Sequence, residues 1–227
     1  MRILAIDTAL EACSAGVLDT ASAATAVHES VPMVRGHAEA LIPLIGRVLD
    51  RAEFTFDDID RIAVTTGPGS FTGLRVGIAA ARGIGLATGK PVVGLTTLAA
   101  YAAPLIAAKE ATAVVAAIDA RHDHIYMQVF AANGRTVISA RLVHMREALR
   151  FAATGSPRLI GTGAKVLAAA WPPAERPPTS VDAATAPDIK WVARLGLAAD
   201  PGGEPPKPFY LRPPDAQPQN AAQLARR

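Results

Sequence analysis

Apolar positions along the chain alternate between short continuous runs and helical spacings, in an order that occurs twice. Continuous apolar runs are typical of buried strands, and apolar residues spaced three and four apart are typical of a helix on a core. In the first half this pattern predicts strands at residues 2–8, 14–19, 23–29, 61–66 and 91–94, and helices over residues 41–51, 72–88 and 97–108. In the second half it predicts strands at residues 113–119, 124–130, 136–143 and 158–162, and helices over residues 145–153, 165–170 and 188–197.

Turn and cap residues define several of these elements more closely. The three strands that open each half are joined so tightly that they must form an antiparallel meander, because parallel pairing needs a crossover. Pro43 predicts that the first regular helix begins close to that residue, since a helix tolerates proline in its first turn. Thr55-x-x-Asp58 predicts a capping box around one short turn, and Asn133-Gly134 predicts a two-residue hairpin turn.

The repeated order of elements indicates an internal duplication, and therefore an α/β protein of two lobes with a cleft between them. We predict an N-terminal lobe over residues 1–108, which carries the partner-binding helices assigned below, and a smaller C-terminal lobe over residues 109–200. Twelve of the 18 prolines lie between residues 172 and 218. They favour an extended tail over residues 201–227, with residues 220–227 frayed.

Composition and charge narrow the class of protein. The chain is 50% hydrophobic and 19% charged, which suits a packed core and excludes a disordered chain. A formal charge of +3 without a block of lysines or arginines gives little support for direct binding of nucleic acid. The single cysteine, Cys13, excludes a disulfide framework and a cysteine-based zinc site. An acid at residue 7, and no apolar run of about 18 residues, predict a cytoplasmic protein without a signal peptide.

Residues 67–94 hold eight of the 18 glycines and predict a strand-adjacent Gly-Pro-Gly loop, a small-residue helix and a further strand. Gly77, Gly83 and Gly85 fall inside the helix, where each costs roughly 1 kcal/mol relative to alanine. Such a helix is expected to have another element pressed close to its backbone. A partner helix and the core of the same lobe both meet that expectation.

The loop before this helix is a candidate anion site. Gly67 and Gly69 precede Ser70 and Thr72, either of which can cap the helix, and free amides at a helix N-terminus attract phosphate. The sequence contains neither the P-loop spacing nor the dinucleotide-binding G-x-G-x-x-G. A structural turn and a phosphate cradle therefore both fit this loop.

Two acids end the first strand of each half: Asp7, followed by Thr8, and Asp119, followed two residues later by Arg121. Carboxylates beside a cleft can hold a metal or a metal-bound phosphate, and as turn residues they can instead bond their own backbone. The five histidines show neither H-x-x-x-H nor H-E-x-x-H spacing. With no G-x-S-x-G nucleophile either, we assign no metal ligand and no catalytic residue.

Seven segments together resemble one protein family. In chain order they are MRILAIDTALEACSAG, GHAEALIPLI, GPGSFTGLRVGIAAARGIGLA, GKPVVGLTTLAAYA, AAIDARHDHIY, LIGTGA and PFYLR. They resemble the TsaB (YeaZ-type) family of dimerisation subunits of the bacterial tRNA threonylcarbamoyladenosine machinery. The resemblance covers residues 1 to about 212, loosely over residues 164–205, and implies two tandem RNase H-like lobes of the actin/Hsp70-like (ASKHA) superfold.

The resemblance also implies partners: a catalytic paralogue, TsaD, and an ATPase, TsaE, for threonylcarbamoyl transfer to the adenosine beside the anticodon. Contact with tRNA is expected through the complex, contact with a membrane is not, and an exposed apolar helix face predicts a homodimer in isolation. In the family, the helices equivalent to residues 37–52 and 72–88 pack against the same helices of the partner. On that basis the predicted interface consists of His37, Leu41, Leu44, Gly73, Leu74, Gly77, Ile78, Ala80, Ala81 and Ile84.

The same resemblance bears on catalysis. In the catalytic paralogue an H-x-x-x-H pair binds the metal, and Thr97 and Tyr101 stand at the equivalent positions here. These hydroxyls are poor replacements for two imidazoles, so we expect a scaffold that needs no cofactor of its own, with ATP/ADP and metal bound by the partner subunits. The alternative is a small ATP-dependent phosphotransferase that uses Asp7, Asp119 and residues 67–73, and titration with ATP and magnesium separates the two.

Overall fold

The computed structural model describes residues 1–21 and 26–212. Its first half consists, in chain order, of β1 (Arg2–Asp7), β2 (Ala12–Asp19), β3 (Ala26–Pro32), α1 (His37–Ala52), β4 (Arg61–Gly67), α2 (Phe71–Thr88), β5 (Val92–Thr96) and α3 (Thr97–Ala107). Its second half consists of β6 (Val114–Asp119), β7 (His124–Phe130), β8 (Thr136–His144), α4 (Met145–Ala152), β9 (Arg158–Ile160), α5 (Ala164–Ala169), β10 (Ser180–Asp182) and α6 (Ile189–Ala198). In this part of the chain, every helix is too short or too polar to cross a bilayer.

Each half forms a five-stranded mixed sheet, and the two sheets share one topology. The strand orders are β3-β2-β1-β4-β5 and β8-β7-β6-β9-β10. The first three strands of each half pair antiparallel, and the fourth and fifth add on in parallel. The predicted meanders and the two-lobed ASKHA-like fold are thereby confirmed. β10 escapes prediction because its three residues are all exposed and give no apolar run.

Among the described residues, two element boundaries differ from the predictions by three residues or more. β3 ends at Pro32 rather than at residue 29, and residues 23–25 of the predicted strand lie outside the described residues. The prediction that the first helix begins near Pro43 is wrong, because α1 begins at His37. Pro43 has no N–H, so the carbonyl of Glu39 lacks its usual helical hydrogen bond. Both residues are exposed, and water can hydrate that carbonyl, so the helix continues through Pro43.

Helices cover both faces of the first sheet. On one face α1 and α2 contribute Leu41, Leu44, Ile45, Leu74 and Ile78 to a core shared with Leu4, Ile6, Ile62 and Val64. On the other face α6 contributes Ile189, Val192 and Ala193, which pack against Ile3, Ala5 and Ala63. The first sheet is therefore fully covered only when a helix from the end of the chain returns to it.

The two halves exchange their last helices. α3 ends the first half, yet its Leu98 and Tyr101 pack in a core with Val114 and Ile118 of β6. α6 ends the second half and packs on the first sheet. Each of these helices therefore packs with residues of the other half, and the lobe limits of residues 1–108 and 109–200 stay a prediction.

Two buried arginines at equivalent positions hold the exchanged helices. Arg61 opens β4, and its Nη1 donates to the carbonyls of Gly196 at 2.8 Å and Ala199 at 2.8 Å, at the C-terminus of α6. Arg158 opens β9, and its Nη1 donates to the carbonyl of Leu105 in α3 at 2.8 Å. Each half thus supplies one guanidinium that caps the last helix of the other.

The first part of the C-terminal tail runs along the first lobe without helix or strand. The Phe209 amide donates to the Thr66 carbonyl at 2.7 Å, beside the end of β4. The Tyr210 ring stacks on Phe71 with centroids 5.3 Å apart. Residues 213–227, including the predicted frayed end, lie outside the described residues.

Candidate functional site

The predicted anion loop packs against the end of β1. A Cβ atom on Gly69 would lie 2.3 Å from the Ala9 carbonyl oxygen, so only glycine fits there. The Ser70 amide donates to that same oxygen at 2.7 Å. Ser70 also caps α2, because its Oγ accepts from the Gly73 amide at 3.2 Å, whereas Thr72 is exposed and is not the cap.

These contacts favour the structural interpretation of the loop. Gly67 has a φ of +118°, which favours glycine. The amides of Ser70 and Gly73 are used within the chain, so fewer donors remain for an anion than the sequence suggests. Phosphate binding at this loop stays a prediction.

Asp7 is completely buried at the end of β1. Its Oδ1 accepts a short hydrogen bond from the Thr65 hydroxyl and another from the Ala9 amide at 3.2 Å. Its Oδ2 has no partner among the described residues. Burial raises the pKa of Asp7 to about 6, against the lowering effect of the Thr65 and Ala9 hydrogen bonds. The neighbouring Thr8 hydroxyl donates to the Gly73 carbonyl at 2.7 Å and ties β1 to α2.

Asp119 holds the equivalent place in the second lobe but lies in a different environment. It is exposed, and its Oδ1 accepts from the Arg121 amide at 2.8 Å. Arg121 is itself exposed and has a φ of +61°, within a tight turn that leads into β7. Asp119 therefore makes the backbone contact of a turn residue, while Asp7 is a sequestered carboxyl.

The structure packs most of the predicted interface into the core of its own lobe. Eight of the ten residues are buried, and the other two, Ala80 and Ile84, are half-buried: the buried ones are His37, Leu41, Leu44, Gly73, Leu74, Gly77, Ile78 and Ala81. A Cβ on Gly73 would lie 2.1 Å from the Thr8 carbonyl oxygen, and one on Gly77 would lie 2.4 Å from Thr8 Oγ1. Thr8, directly after β1, is therefore pressed against these two glycines, and a partner helix is not needed to explain them. The predicted interface itself stays a prediction.

Less buried positions follow a second stripe along α1 and α2, which lie side by side, and Val76 and Ala80 of this stripe are half-buried against the lobe core. We call this set the α1–α2 face and define it as Ile42, Gly46, Val76, Ala80 and Gly83. Spacings of three and four put each helix's members on one stripe. Ile42 is 52% exposed, and a Cβ on Gly46 or Gly83 would meet no atom of the described residues within 4 Å. Helical periodicity could have found this stripe, since it is offset from the buried apolar positions.

The histidines of the second lobe have structural contacts. The rings of His124 and His144 meet edge to face with centroids 5.6 Å apart. His144 caps α4, because its Nδ1 accepts from the Arg146 amide at 3.3 Å. Within residues 1–21 and 26–212, no three His, Cys, Asp or Glu side chains converge as metal ligands would.

A family model matches more than half of the chain. The family model described as "TsaD: tRNA N6-adenosine threonylcarbamoyltransferase" matches residues 30–175. The tRNA threonylcarbamoyladenosine biosynthesis protein TsaB of Escherichia coli K12 is 40% identical over 126 residues, which are 56% of this chain and 53% of that protein. The chain thus matches about half the length of this relative.

Two other similarities extend over nearly the whole chain. An uncharacterized protein of Mycobacterium tuberculosis H37Rv is 34% identical over 219 residues, 95% of this chain and 94% of that protein. A crystal structure from Pseudomonas aeruginosa, described as an uncharacterized protein with similarity to peptidase YEAZ, superimposes with a TM-score of 0.78 at 31% identity. That superposition covers 93% of this chain and 99% of the other.

Proposed function

The chain belongs to the family of the TsaD model and, within it, to the TsaB (YeaZ) type, and from this membership we propose that it serves tRNA threonylcarbamoyladenosine biosynthesis as a non-catalytic subunit. It would pair with the catalytic paralogue TsaD and act with the ATPase TsaE, and it would contact tRNA through the complex. The observation that carries the proposal is the similarity to TsaB of Escherichia coli, at 40% identity.

The surroundings of Thr97 and Tyr101 support a non-catalytic role. These two residues stand where the resemblance puts the metal-binding histidines of the catalytic paralogue, one helical turn apart in α3. Both are buried, and the Tyr101 hydroxyl donates to the Ala184 carbonyl at 3.0 Å. Burial also raises the pKa of Tyr101, so no phenolate is available at neutral pH. A neutral phenol bonded to a carbonyl is a poor ligand for a metal ion.

The α1–α2 face supports pairing with another helical surface. Glycine inside a helix costs about 1 kcal/mol relative to alanine, and no close neighbour among residues 1–21 and 26–212 requires it at Gly46 or Gly83. Small side chains at a contact let helix axes approach closely. We therefore assign the partner contact to this face rather than to the buried residues beneath it, with a homodimer formed in the same way when no partner is present.

Substitutions on α1 test this assignment by co-purification with TsaD. Gly46→Leu should abolish the pair, because the new side chain fills the approach between helices, while the monomer gains about 1 kcal/mol from helix propensity. Ile42→Glu should weaken the pair at least tenfold by burying a charge. Val137→Glu is the matched control, since Val137 is 53% exposed against 52% for Ile42 but lies on β8 in the other lobe.

The outcomes separate the interface from the function. If Gly46→Leu and Ile42→Glu retain wild-type affinity for TsaD, the α1–α2 face is not the interface. If the wild-type chain itself fails to bind TsaD, the proposed function is wrong. Gly77→Leu is unsuitable for this test, because its Cβ would lie 2.4 Å from Thr8 Oγ1 and the monomer would be disturbed.

A further inference from the structure

A groove of about 830 Å³ lies between α2 and residues 201–208 of the C-terminal tail. We call it the tail groove. Its apolar lining includes Ile78, Leu86, Val92, Pro201, Pro205 and Pro208. Leu86 is 87% exposed, so this apolar surface is open to water in the isolated chain. A groove with mainly apolar walls is the kind of concave surface that takes up apolar side chains of a ligand.

The charges around the tail groove all have one sign. Arg75, Arg82 and Lys90 line it, and none of the carboxylates in the described ranges does. The acids that lie nearby in sequence are already engaged: Glu204 pairs with Lys207 at 2.5 Å, and Asp200 accepts from the Gly202 amide at 2.9 Å. Within the described part of the chain, the side chains of Arg82 and Lys90 form no ion pair.

The tail wall of the groove is held in place by specific contacts. The Phe209 amide is bonded to the Thr66 carbonyl, and Pro206 packs on Gly94, where a Cβ would lie 2.9 Å from Pro206 Cβ. Arg75 lies 3.8 Å over the Phe71 ring, and its Nε donates to the Tyr210 hydroxyl at 3.1 Å. These contacts therefore fix this part of the tail against the first lobe as one side of the groove.

We propose that the tail groove binds a segment of a partner protein in which apolar side chains are flanked by carboxylates. The prolyl and aliphatic walls match apolar side chains, and the three cations match carboxylates at the rim. A single-stranded nucleic acid would need aromatic faces on which to stack, and no aromatic side chain is among the described residues that line the groove.

This surface is additional to the pairing surface of the proposed function. Arg75, Arg82 and Leu86 lie on the flank of α2 that faces the tail, whereas Val76 and Ala80 lie on the flank that faces α1. The two surfaces meet at Gly83. Because the rest of the two surfaces lies on different flanks of α2, a substitution on α1 can abolish pairing with TsaD without affecting binding at the tail groove, and the reverse also holds.

Fluorescence anisotropy with the full chain tests the proposal. The probes are a labelled helical peptide with a leucine stripe flanked by glutamates, the same peptide with lysines in place of the glutamates, and a single-stranded RNA of about 20 nucleotides. We expect the glutamate peptide to bind and the lysine peptide not to bind. The double variant Arg82→Glu/Lys90→Glu should weaken the glutamate peptide at least tenfold, and Leu86→Ser should weaken it several-fold.

The double variant Arg135→Glu/Arg146→Glu is the matched control, since it changes the net charge equally at exposed positions of the second lobe. It should leave the affinity unchanged. Equal loss in this control would reduce the effect to net charge and overturn the proposal, as would failure of the glutamate peptide to bind. Tighter binding of the RNA that is lost in Arg82→Glu/Lys90→Glu would assign the groove to nucleic acid instead.

Discussion

At the scale of single residues, the Asp7 carboxyl couples protonation to folding. It is completely buried, and its Oδ2 lacks a partner among the described residues. Burial raises its pKa from 3.8 to about 6. Between these two values the folded state keeps a proton that the unfolded state releases, so the free energy of unfolding falls as the pH rises. The contribution of protonated Asp7 is complete below about pH 4 and is lost above about pH 6.

We predict that Asp7→Asn removes this dependence. Over the window from pH 3.5 to pH 7.5, the wild-type chain should lose about 3 kcal/mol relative to the variant, because two pKa units correspond to that energy. Urea unfolding of both chains at the two pH values measures it. The difference between the two chains isolates Asp7 from Asp19, Glu29 and Asp58, whose pKa values are lowered and whose contributions therefore rise with pH. A difference that is the same at both pH values would mean that Asp7 titrates as an ordinary carboxyl.

At the scale of elements, α6 depends on a side chain from β4. Arg61 is 7% exposed, and its Nη1 donates to the carbonyls of Gly196, Leu197 and Ala199 at the end of this helix, at 2.8 to 3.1 Å. The last carbonyls of a helix have no intrahelical donor. Without the guanidinium, these oxygens would be left unpaired in a partly buried place, at a cost of about 1–3 kcal/mol.

We therefore predict that Arg61→Met lowers the free energy of unfolding by about 2–3 kcal/mol, since methionine keeps the apolar stem and removes the donors. Urea unfolding at neutral pH measures the loss. Arg135→Met is the control, because Arg135 is exposed, and it should change stability by less than about 0.5 kcal/mol. Equal effects of the two substitutions would show that the cap on α6 is not what stabilises the fold.

Local signals predicted most elements, because their causes lie within a few residues. The capping box of Thr55 and Asp58 forms as expected, and Ser70 caps α2. Helical periodicity also identifies which residues of α1 and α2 share a stripe. It does not say what covers that stripe, so residues such as Gly73 and Gly77 fit a partner helix and β1 equally well until the fold is known.

The candidate site was less predictable because burial depends on distant parts of the chain. Asp7 and Asp119 end equivalent strands, yet only Asp7 is buried. The tail groove needs α2 and residues 201–208 together, and more than a hundred residues separate them in sequence. The position of α6 is likewise determined by its contacts with β1 and β4, which the local sequence pattern does not predict.

At the scale of the whole molecule, the exchange of helices makes each lobe incomplete without the other. Ile3, Ala5 and Ala63 of the first sheet are fully buried in a cluster with residues of α6. Leu98 and Tyr101 of α3 are buried in a cluster with β6 of the second sheet. Each lobe's hydrophobic core therefore includes a helix that the other half of the chain supplies, and the two lobes are expected to unfold together.

A fragment of residues 1–108 tests this dependence. It contains all five strands of the first sheet but lacks α6, so one face of the sheet and the outer side of α3 would be bare. We predict that it gives no cooperative urea transition and binds a hydrophobic dye, as expanded states with exposed apolar surface do. Co-expression with residues 109–227 is the control, because it restores α6 and every described contact across the cut. If the fragment of residues 1–108 instead unfolds cooperatively at the same urea midpoint as the intact chain, the first lobe is an independent folding domain. The helix α6 would then not be needed for its stability.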